Sequence, residues 1–178
     1  MMTYILIAFT ALISIAAFNN HDWFLKLQFN AYQIYHRKQW YRLLTHGFLH
    51  ANWTHLIVNM LVLFFFGAHV EDYMKQILGP DFQPWHHLIY LVFYFGAIVV
   101  ASLTSLFRHR EDPWYNAVGA SGAVSAIIFF FIFFNPWEPL YIYGILPVPG
   151  IIMGVLYLIY SSHPEYQQHF YNLRHQSV

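Results

Sequence analysis

Four polar residues that could do chemistry lie at the start of, and inside, an apolar stretch of the sequence: His46, His50, His55 and Asn59. His55 and Asn59 are four residues apart, so a helix projects both side chains from one face. An imidazole and a carboxamide both supply N–H donors, and leaving an amide unpaired in an apolar medium costs on the order of several kcal/mol. These residues are therefore candidates for a polar site inside a membrane.

A second candidate is the run Gly119-Ala120-Ser121-Gly122-Ala123, which opens another apolar stretch. A serine at the start of a helix lies beside free backbone N–H groups and the positive end of the helix dipole. Those groups can stabilise the oxyanion that forms when a serine attacks a carbonyl. The flanking glycines let a substrate backbone approach closely. This pattern is typical of an acyl-transfer nucleophile at Ser121.

Each group also has a purely structural explanation. Small residues such as those around Ser121 let membrane helices touch, and a histidine and an asparagine four apart can form an interhelical hydrogen-bond pair. For either group alone, the structural explanation is the stronger one. A third reading makes His46, His50 and His55 ligands of zinc or copper, because imidazole suits both metals. The sequence contains no HExxH motif and no cysteine, and no carboxylate lies within the apolar spans. These absences argue against a metal site, so we expect no metal and no cofactor.

Five apolar stretches must position these residues, near 3–18, 56–70, 88–107, 117–134 and 140–160. A membrane helix needs about 20 residues, and only helices or closed barrels satisfy backbone polar groups in lipid. None of the stretches shows strand alternation, so the predicted fold is an all-α, polytopic membrane helix bundle. Pro147 and Pro149 interrupt the last stretch, whose helix is therefore kinked there or begins at Pro149.

The composition agrees with a membrane protein. The 178 residues are 58% hydrophobic and only 9% charged, whereas soluble domains carry about 25% charged residues. The formal net charge is zero, so no basic field would attract nucleic acid. The loop from 19 to 54 mixes aromatic and basic residues, as does a segment lying among lipid headgroups. Residues 1–160 are predicted to form one membrane domain, followed by a polar tail, 161–178, that is truncated or non-native.

Several separate motifs, in the same order and at similar spacing, make this sequence resemble the bacterial type of the rhomboid family of intramembrane serine proteases. They lie in the first loop, in the second apolar stretch and its end, and at the start of the fourth: Trp40-Tyr41-Arg42, His50 with His55 and Asn59, Gly67 with Glu71, and Gly119-Ala120-Ser121-Gly122.

The resemblance implies roles for these residues. Ser121 would be the nucleophile, and its backbone N–H with the side chains of His55 and Asn59 would form the oxyanion hole. Substrate or structural support would come from Gly119, Gly122, His50, Arg42 and Trp40. Arg42 would brace the first loop, although an arginine there could equally be an interfacial anchor.

The family plan has six helices, and the sixth carries the general-base histidine. Five spans are visible here, and His169 is the nearest counterpart of that base, with Gln168 and Asn172 where the family has alanine and glycine. Either the chain is truncated or damaged, or a tail histidine substitutes, or the protein is a non-catalytic relative.

The predicted function is cleavage of transmembrane segments by a Ser121–His169 dyad. The alternative is a catalytically inactive rhomboid-like protein that binds membrane proteins. Either reading implies transmembrane protein partners, a lipid bilayer and a multi-pass location, by family analogy in a bacterial inner membrane. The Lys and Arg residues of the first and third loops would place those loops in the cytoplasm. The family plan places them outside, and we follow it because long loops weaken the charge rule. The oligomeric state stays open.

Overall fold

The computed structural model describes residues 1–142 and 146–162. Most of this part of the chain is helical. The helices are Met2–Phe18 (α1), His21–Leu27 (α2), Ala31–Arg37 (α3), Arg42–Thr45 (α4), Trp53–Val62 (α5), Ala68–Leu78 (α6), His86–His109 (α7), Ser121–Phe134 (α8) and Gly150–Ser162 (α9). Short 3-10 turns lie at His46–Phe48 and Pro80–Trp85. The predicted all-α helix bundle is confirmed as a fold that is mostly helical, with few and short strands.

Two helical runs are long and apolar enough to cross a membrane, Trp53–Leu78 and His86–His109. The first consists of α5 and α6 joined by a π-helical segment, Leu63–Gly67. Asn52 caps its start, because its side-chain oxygen accepts a hydrogen bond from the backbone N–H of His55 at 2.8 Å. Helices α1 and α8 are apolar but shorter, with 17 and 14 residues.

Gly67 lets three helices approach one another. A methyl group built on Gly67 would lie 2.7 Å from Cγ2 of Thr3 in α1 and 3.0 Å from the hydroxyl oxygen of Tyr90 in α7. Any side chain there would collide with both, so the glycine sets the distance between these helices. Thr3 and Tyr90 are themselves buried and lie within 3.0 Å of each other.

A two-residue strand pair ties the first loop to the segment before Ser121. Strand β1, Phe29–Asn30, pairs antiparallel with β2, Asn116–Ala117. The Asn30 side chain reinforces the pair by donating to the carbonyl of Pro113 and to the side-chain oxygen of Asn116, both at 2.9 Å. Phe29, Ala31 and Ile34 pack with Leu106 of α7 in a small buried cluster. The loop that precedes α8 is therefore fixed both by the pairing of β2 with β1 and by the hydrogen bonds of the Asn30 side chain.

The chain divides into two units, Met1–Ile128 and Phe129–Val178. The second unit contains the end of α8, a hairpin and α9. The hairpin pairs β3, Pro139–Ile142, with β4, Leu146–Pro149, antiparallel, with Pro139 opposite Pro149. Proline lacks the N–H that a helix interior needs, and its fixed φ suits extended backbone. Of the two alternatives predicted for the stretch 140–160, a kinked helix is wrong and a helix that begins at the second proline is confirmed, because α9 begins at Gly150, immediately after Pro149.

Candidate active site

Ser121 is the first residue of α8 and is exposed. The predicted helix over 117–134 begins late, because Ala117 lies in β2 and Gly119 has a φ of +128°. That backbone conformation is open to glycine and strained for other residues. It turns the chain from β2 into α8, so the serine occupies a helix start with free backbone N–H groups beside it.

His55 contacts the glycine two residues before Ser121. A methyl group built on Gly119 would lie 2.7 Å from Cε1 and 3.0 Å from Nε2 of the His55 ring. The ring therefore packs directly on the Gly119 Cα, where only a hydrogen fits. This contact brings together the second apolar stretch and the serine motif, which are separated by more than sixty residues in the sequence.

The orientation of the His55 ring follows from its other nitrogen. Nδ1 accepts a long hydrogen bond, 3.5 Å, from the backbone N–H of Ala51. In the neutral ring, one nitrogen accepts and the other carries the hydrogen. Nε2, on the Gly119 side, is therefore the donor, and a donor beside a serine nucleophile can stabilise an oxyanion.

Asn59 is buried, but its side chain turns back onto its own helix. Its amide donates to the backbone carbonyl of His55 at 2.9 Å. A carboxamide has two N–H hydrogens, so one donor remains after this bond. In this structure Asn59 shares its helix face with His55, and no hydrogen bond joins its amide to Ser121 among the described residues.

His50 lies between Ser14 of α1 and the ring of His55 near the start of α5. The Ser14 hydroxyl of α1 donates to the carbonyl of Phe48 at 2.6 Å and lies 2.9 Å from Nδ1 of His50. Because that hydroxyl has one hydrogen, His50 Nδ1 donates to it. The rings of His50 and His55 meet edge to face at 5.0 Å. The fully buried His50 thus fixes the loop that leads into His55.

A cavity of about 180 Å³ lies beside Ser121. His46 lines it, and the backbone carbonyl of His46 accepts a hydrogen bond from the Gly119 N–H at 3.0 Å. Burial lowers the pKa of His46 to about 4. Burial, and then the nearby His55, lower the pKa of His50 to about 4. Both rings are therefore neutral at pH 7. The remaining lining residues are Phe29, Ile98, Ala101, Ser102, Ser105, Ala117, Val118, Gly119, Ser121 and Gly122.

The remaining predicted residues lie around this centre. Gly122 packs against α7, where an added methyl group would lie 2.5 Å from the Ala101 Cβ. Arg42 is 7% exposed and donates to the carbonyls of Leu25 and Gln28 at 2.8 and 2.7 Å, within the first loop. Trp40 is exposed. His169 lies outside the described residues.

Sequence reasoning missed Ser14 and Ser102. Ser14 binds both His50 and the Phe48 carbonyl, and Ser102 lines the cavity beside Ser121. Each is a polar residue inside an apolar helix, which is the signal that marks intramembrane sites. Their separation from the histidine and serine motifs hid their connection to the site.

The sequence is similar to known proteins of one family. A family model described as Rhomboid domain matches residues 37–170. "RHOMBOID-like protein 12, mitochondrial" of Arabidopsis thaliana is 29% identical over 128 residues, covering 64% of this chain and 35% of that protein. "Rhomboid-like protein 11, chloroplastic" of the same plant is 39% identical over 92 residues, covering 51% and 28%. A Bacillus subtilis (strain 168) protein, provisionally described as the rhomboid protease YdcA, is 30% identical over 95 residues, covering 53% and 41%. The matches thus span between about a quarter and two fifths of those relatives' lengths.

Proposed function

The chain belongs to the rhomboid family, and from this premise we propose that it is an intramembrane serine endopeptidase with Ser121 as its nucleophile. The contact between His55 and Gly119 carries the proposal. It sets an imidazole N–H donor beside the start of α8, where the serine hydroxyl is exposed. A family relative that only needed close helix packing would have no use for a donor at this place.

In the proposed reaction, Ser121 Oγ attacks the carbonyl carbon of a peptide bond in a transmembrane segment. The carbonyl oxygen becomes an oxyanion, which the backbone N–H of Ser121 and Nε2–H of His55 stabilise. The unused N–H of Asn59 is the third donor, brought in by a rotation of its side chain. Removing one such donor typically costs about 2.7–4 kcal/mol in the activation barrier. Water later attacks the acyl-enzyme and releases the second product.

The attack needs a group that takes the serine proton and returns it to the leaving amine. His169 is the proposed base, by its resemblance to the histidine of the family's sixth helix. The proposal for His169 rests on sequence alone. It is therefore tested separately from the proposal for Ser121.

One observation favours the second candidate function, a rhomboid-like protein that binds membrane proteins without cleaving them. Within residues 1–142 and 146–162, no histidine nitrogen is hydrogen-bonded to Ser121 Oγ. A serine hydroxyl without a base is a weak nucleophile. In that case the surface around Ser121 would bind a transmembrane segment of a partner without hydrolysing it.

Both functions imply transmembrane protein partners within a lipid bilayer. By family analogy we propose a bacterial inner (cell) membrane as the location; one relative is from Bacillus subtilis, and the names of the two plant relatives point to organelles. Membrane fractionation of the source cells is the direct check.

The deciding experiment is labelling of the detergent-solubilised full chain with a fluorophosphonate, which reacts with activated serines. We expect labelling of the wild type and complete loss in Ser121→Ala. The matched control is Ser125→Ala, one helical turn further along α8, which should keep wild-type labelling. Equal labelling of wild type and Ser121→Ala would refute the nucleophile.

A second pair of variants tests the base. His169→Ala should abolish labelling, whereas His175→Ala, another histidine of the same polar tail, should leave it unchanged. If Ser121 labels normally in His169→Ala, another group is the base. If the folded wild type does not label, the binding function is favoured. Co-reconstitution with a helical membrane protein should then give association without cleavage.

A further inference from the structure

A second cluster of polar side chains lies away from Ser121, at the end where α6 leads into α7. It consists of Glu71 from α6 and of His86 and His87, the first two residues of α7. Their ligand atoms, a carboxylate oxygen and one ring nitrogen from each histidine, all lie within 4.8 Å of one another. None of these side chains has a part in the proposed proteolysis.

The carboxylate of Glu71 is held rigidly in this position. Its side chain is 3% exposed. Oε1 accepts the backbone N–H of Met2 at 2.8 Å, and Oε2 accepts the backbone N–H and the hydroxyl of Thr3 at 3.1 and 2.9 Å. Donors that orient a carboxylate in this way prepare it as a metal ligand. Oε1 keeps a lone pair on the side of the histidines.

The ring of His87 lies against that lone pair. Its Nδ1 lies 2.8 Å from Glu71 Oε1, which is an ion pair when the ring is protonated. Glu71 Oε1 and His87 Nδ1 therefore share one cation, which is a proton in the ion pair and a metal ion when one is bound. The ring of His86 lies 3.8 Å from that of His87 and adds a third ligand. The side chain of His87 is 43% exposed, so an ion can enter.

From this arrangement we propose that Glu71, His86 and His87 bind a single zinc ion. Two imidazoles and one carboxylate form a ligand set that zinc accepts, with a fourth position left to water. Magnesium and calcium prefer all-oxygen sites and fit this set less well. The start of α7 contributes roughly half a positive charge, which opposes a cation. The full negative charge of the buried Glu71 carboxylate outweighs it. The bound ion ties α6 to α7 and, through Glu71, to the start of α1.

The test uses the full chain in detergent, purified without a polyhistidine tag and stripped with a chelator. Isothermal titration with Zn²⁺ should give one equivalent bound, and Co²⁺ should give the visible absorption of a tetrahedral site. His86→Ala and His87→Ala should each weaken binding by about tenfold or more, since even a residue that only orients a ligand costs about 10–100-fold. His21→Ala, which removes an exposed histidine elsewhere, should bind as the wild type does.

A second readout covers loss of folding in the variants. Zinc should raise the thermal unfolding midpoint of the wild type and of Ser121→Ala but leave that of His87→Ala unchanged. Absence of stoichiometric zinc, or full binding in folded His87→Ala, would overturn the proposal. The first result would leave Glu71 and His87 as a bare ion pair, and the second would place the ion among other histidines. Because Ser121→Ala should still bind zinc, failure of this proposal is distinguishable from failure of the proposed protease.

Discussion

Replacing Gly119 with alanine tests whether its contact with His55 positions the serine. The added methyl group would lie 2.7 Å from Cε1 of His55, whereas carbon atoms pack best at about 3.5–4.0 Å. The ring must therefore move by about 1 Å. A misplacement of about 1 Å can lower a catalysed rate by about 100-fold. We expect the rate of fluorophosphonate labelling of Ser121 to fall by about that factor.

The same substitution also strains the backbone. A residue other than glycine at the φ of +128° costs about 1–3 kcal/mol. For a domain of this size, each kcal/mol lowers the unfolding midpoint by about 2–4 °C. We therefore expect a thermal midpoint at least about 2–12 °C below that of the wild type, with the His55 collision adding to the loss.

Two glycines provide matched controls. Gly79 also has a positive φ, +73°, but a methyl group built on it meets nothing within 4 Å. Gly79→Ala should therefore lose stability through strain and keep the labelling rate. Gly96 lies inside α7 with open space and no positive φ, so Gly96→Ala should lose neither. If Gly119→Ala resembles Gly79→Ala in both measurements, the His55 contact has no part in the chemistry of Ser121.

Three further substitutions or conditions test other parts of the structure. Arg42→Met keeps the apolar stem of the side chain but removes the charged donor of two backbone hydrogen bonds. The free energy of unfolding, measured by denaturant titration, should therefore fall by about 3 kcal/mol. An unchanged midpoint of denaturant unfolding would make Arg42 an interfacial anchor. Thr3→Val removes the hydroxyl that joins Glu71 and Tyr90 and should cost about 1–2 kcal/mol, with no loss arguing against this link. His46 and His50 have pKa values lowered to about 4, so the unfolded chain binds more protons between about pH 6.5 and 4. Stability should be complete above about pH 6.5 and fall as pH drops towards 4; a flat profile of the thermal midpoint would contradict their burial as neutral rings.

The helices that carry the candidate site residues could largely be predicted, because the sequence patterns that indicate them are local. The spacing of His55 and Asn59 indicates one helix face, and both residues do lie on α5. The glycines around Ser121 indicate a tight turn into a helix, and the helix begins at the serine itself. The polar residues in the apolar stretches indicate this region, because a polar side chain is costly inside a membrane and marks a candidate functional site.

Other features depend on distant contacts that the sequence pattern does not contain. The Asn59 amide donates to the backbone carbonyl of His55, one helical turn earlier. This local hydrogen bond competes with the predicted role of Asn59 as an oxyanion donor. The apolar run from 140 suited a helix by hydropathy alone, and the hairpin arises because prolines favour extended backbone there. The resemblance places Glu71 at the end of the second apolar stretch, and its proximity to His86 and His87 depends on how α6 and α7 pack. The boundary at residue 160 stays a prediction.

The π-helical segment Leu63–Gly67 has a consequence for the length of the helical run Trp53–Leu78. A wide turn of this kind absorbs one extra residue, and each residue in an α-helix rotates the following side chains by about 100°. Deleting one residue from the segment would leave the hydropathy of the run almost unchanged. Because the wide turn already absorbs that residue, the deletion would convert it to a regular α-helical turn, and Glu71 would stay beside Thr3 while His55 kept its place on Gly119. Two residue counts between these contacts are therefore compatible with both, one with the wide turn and one with a regular helix, so this segment is where the run tolerates a one-residue change in length.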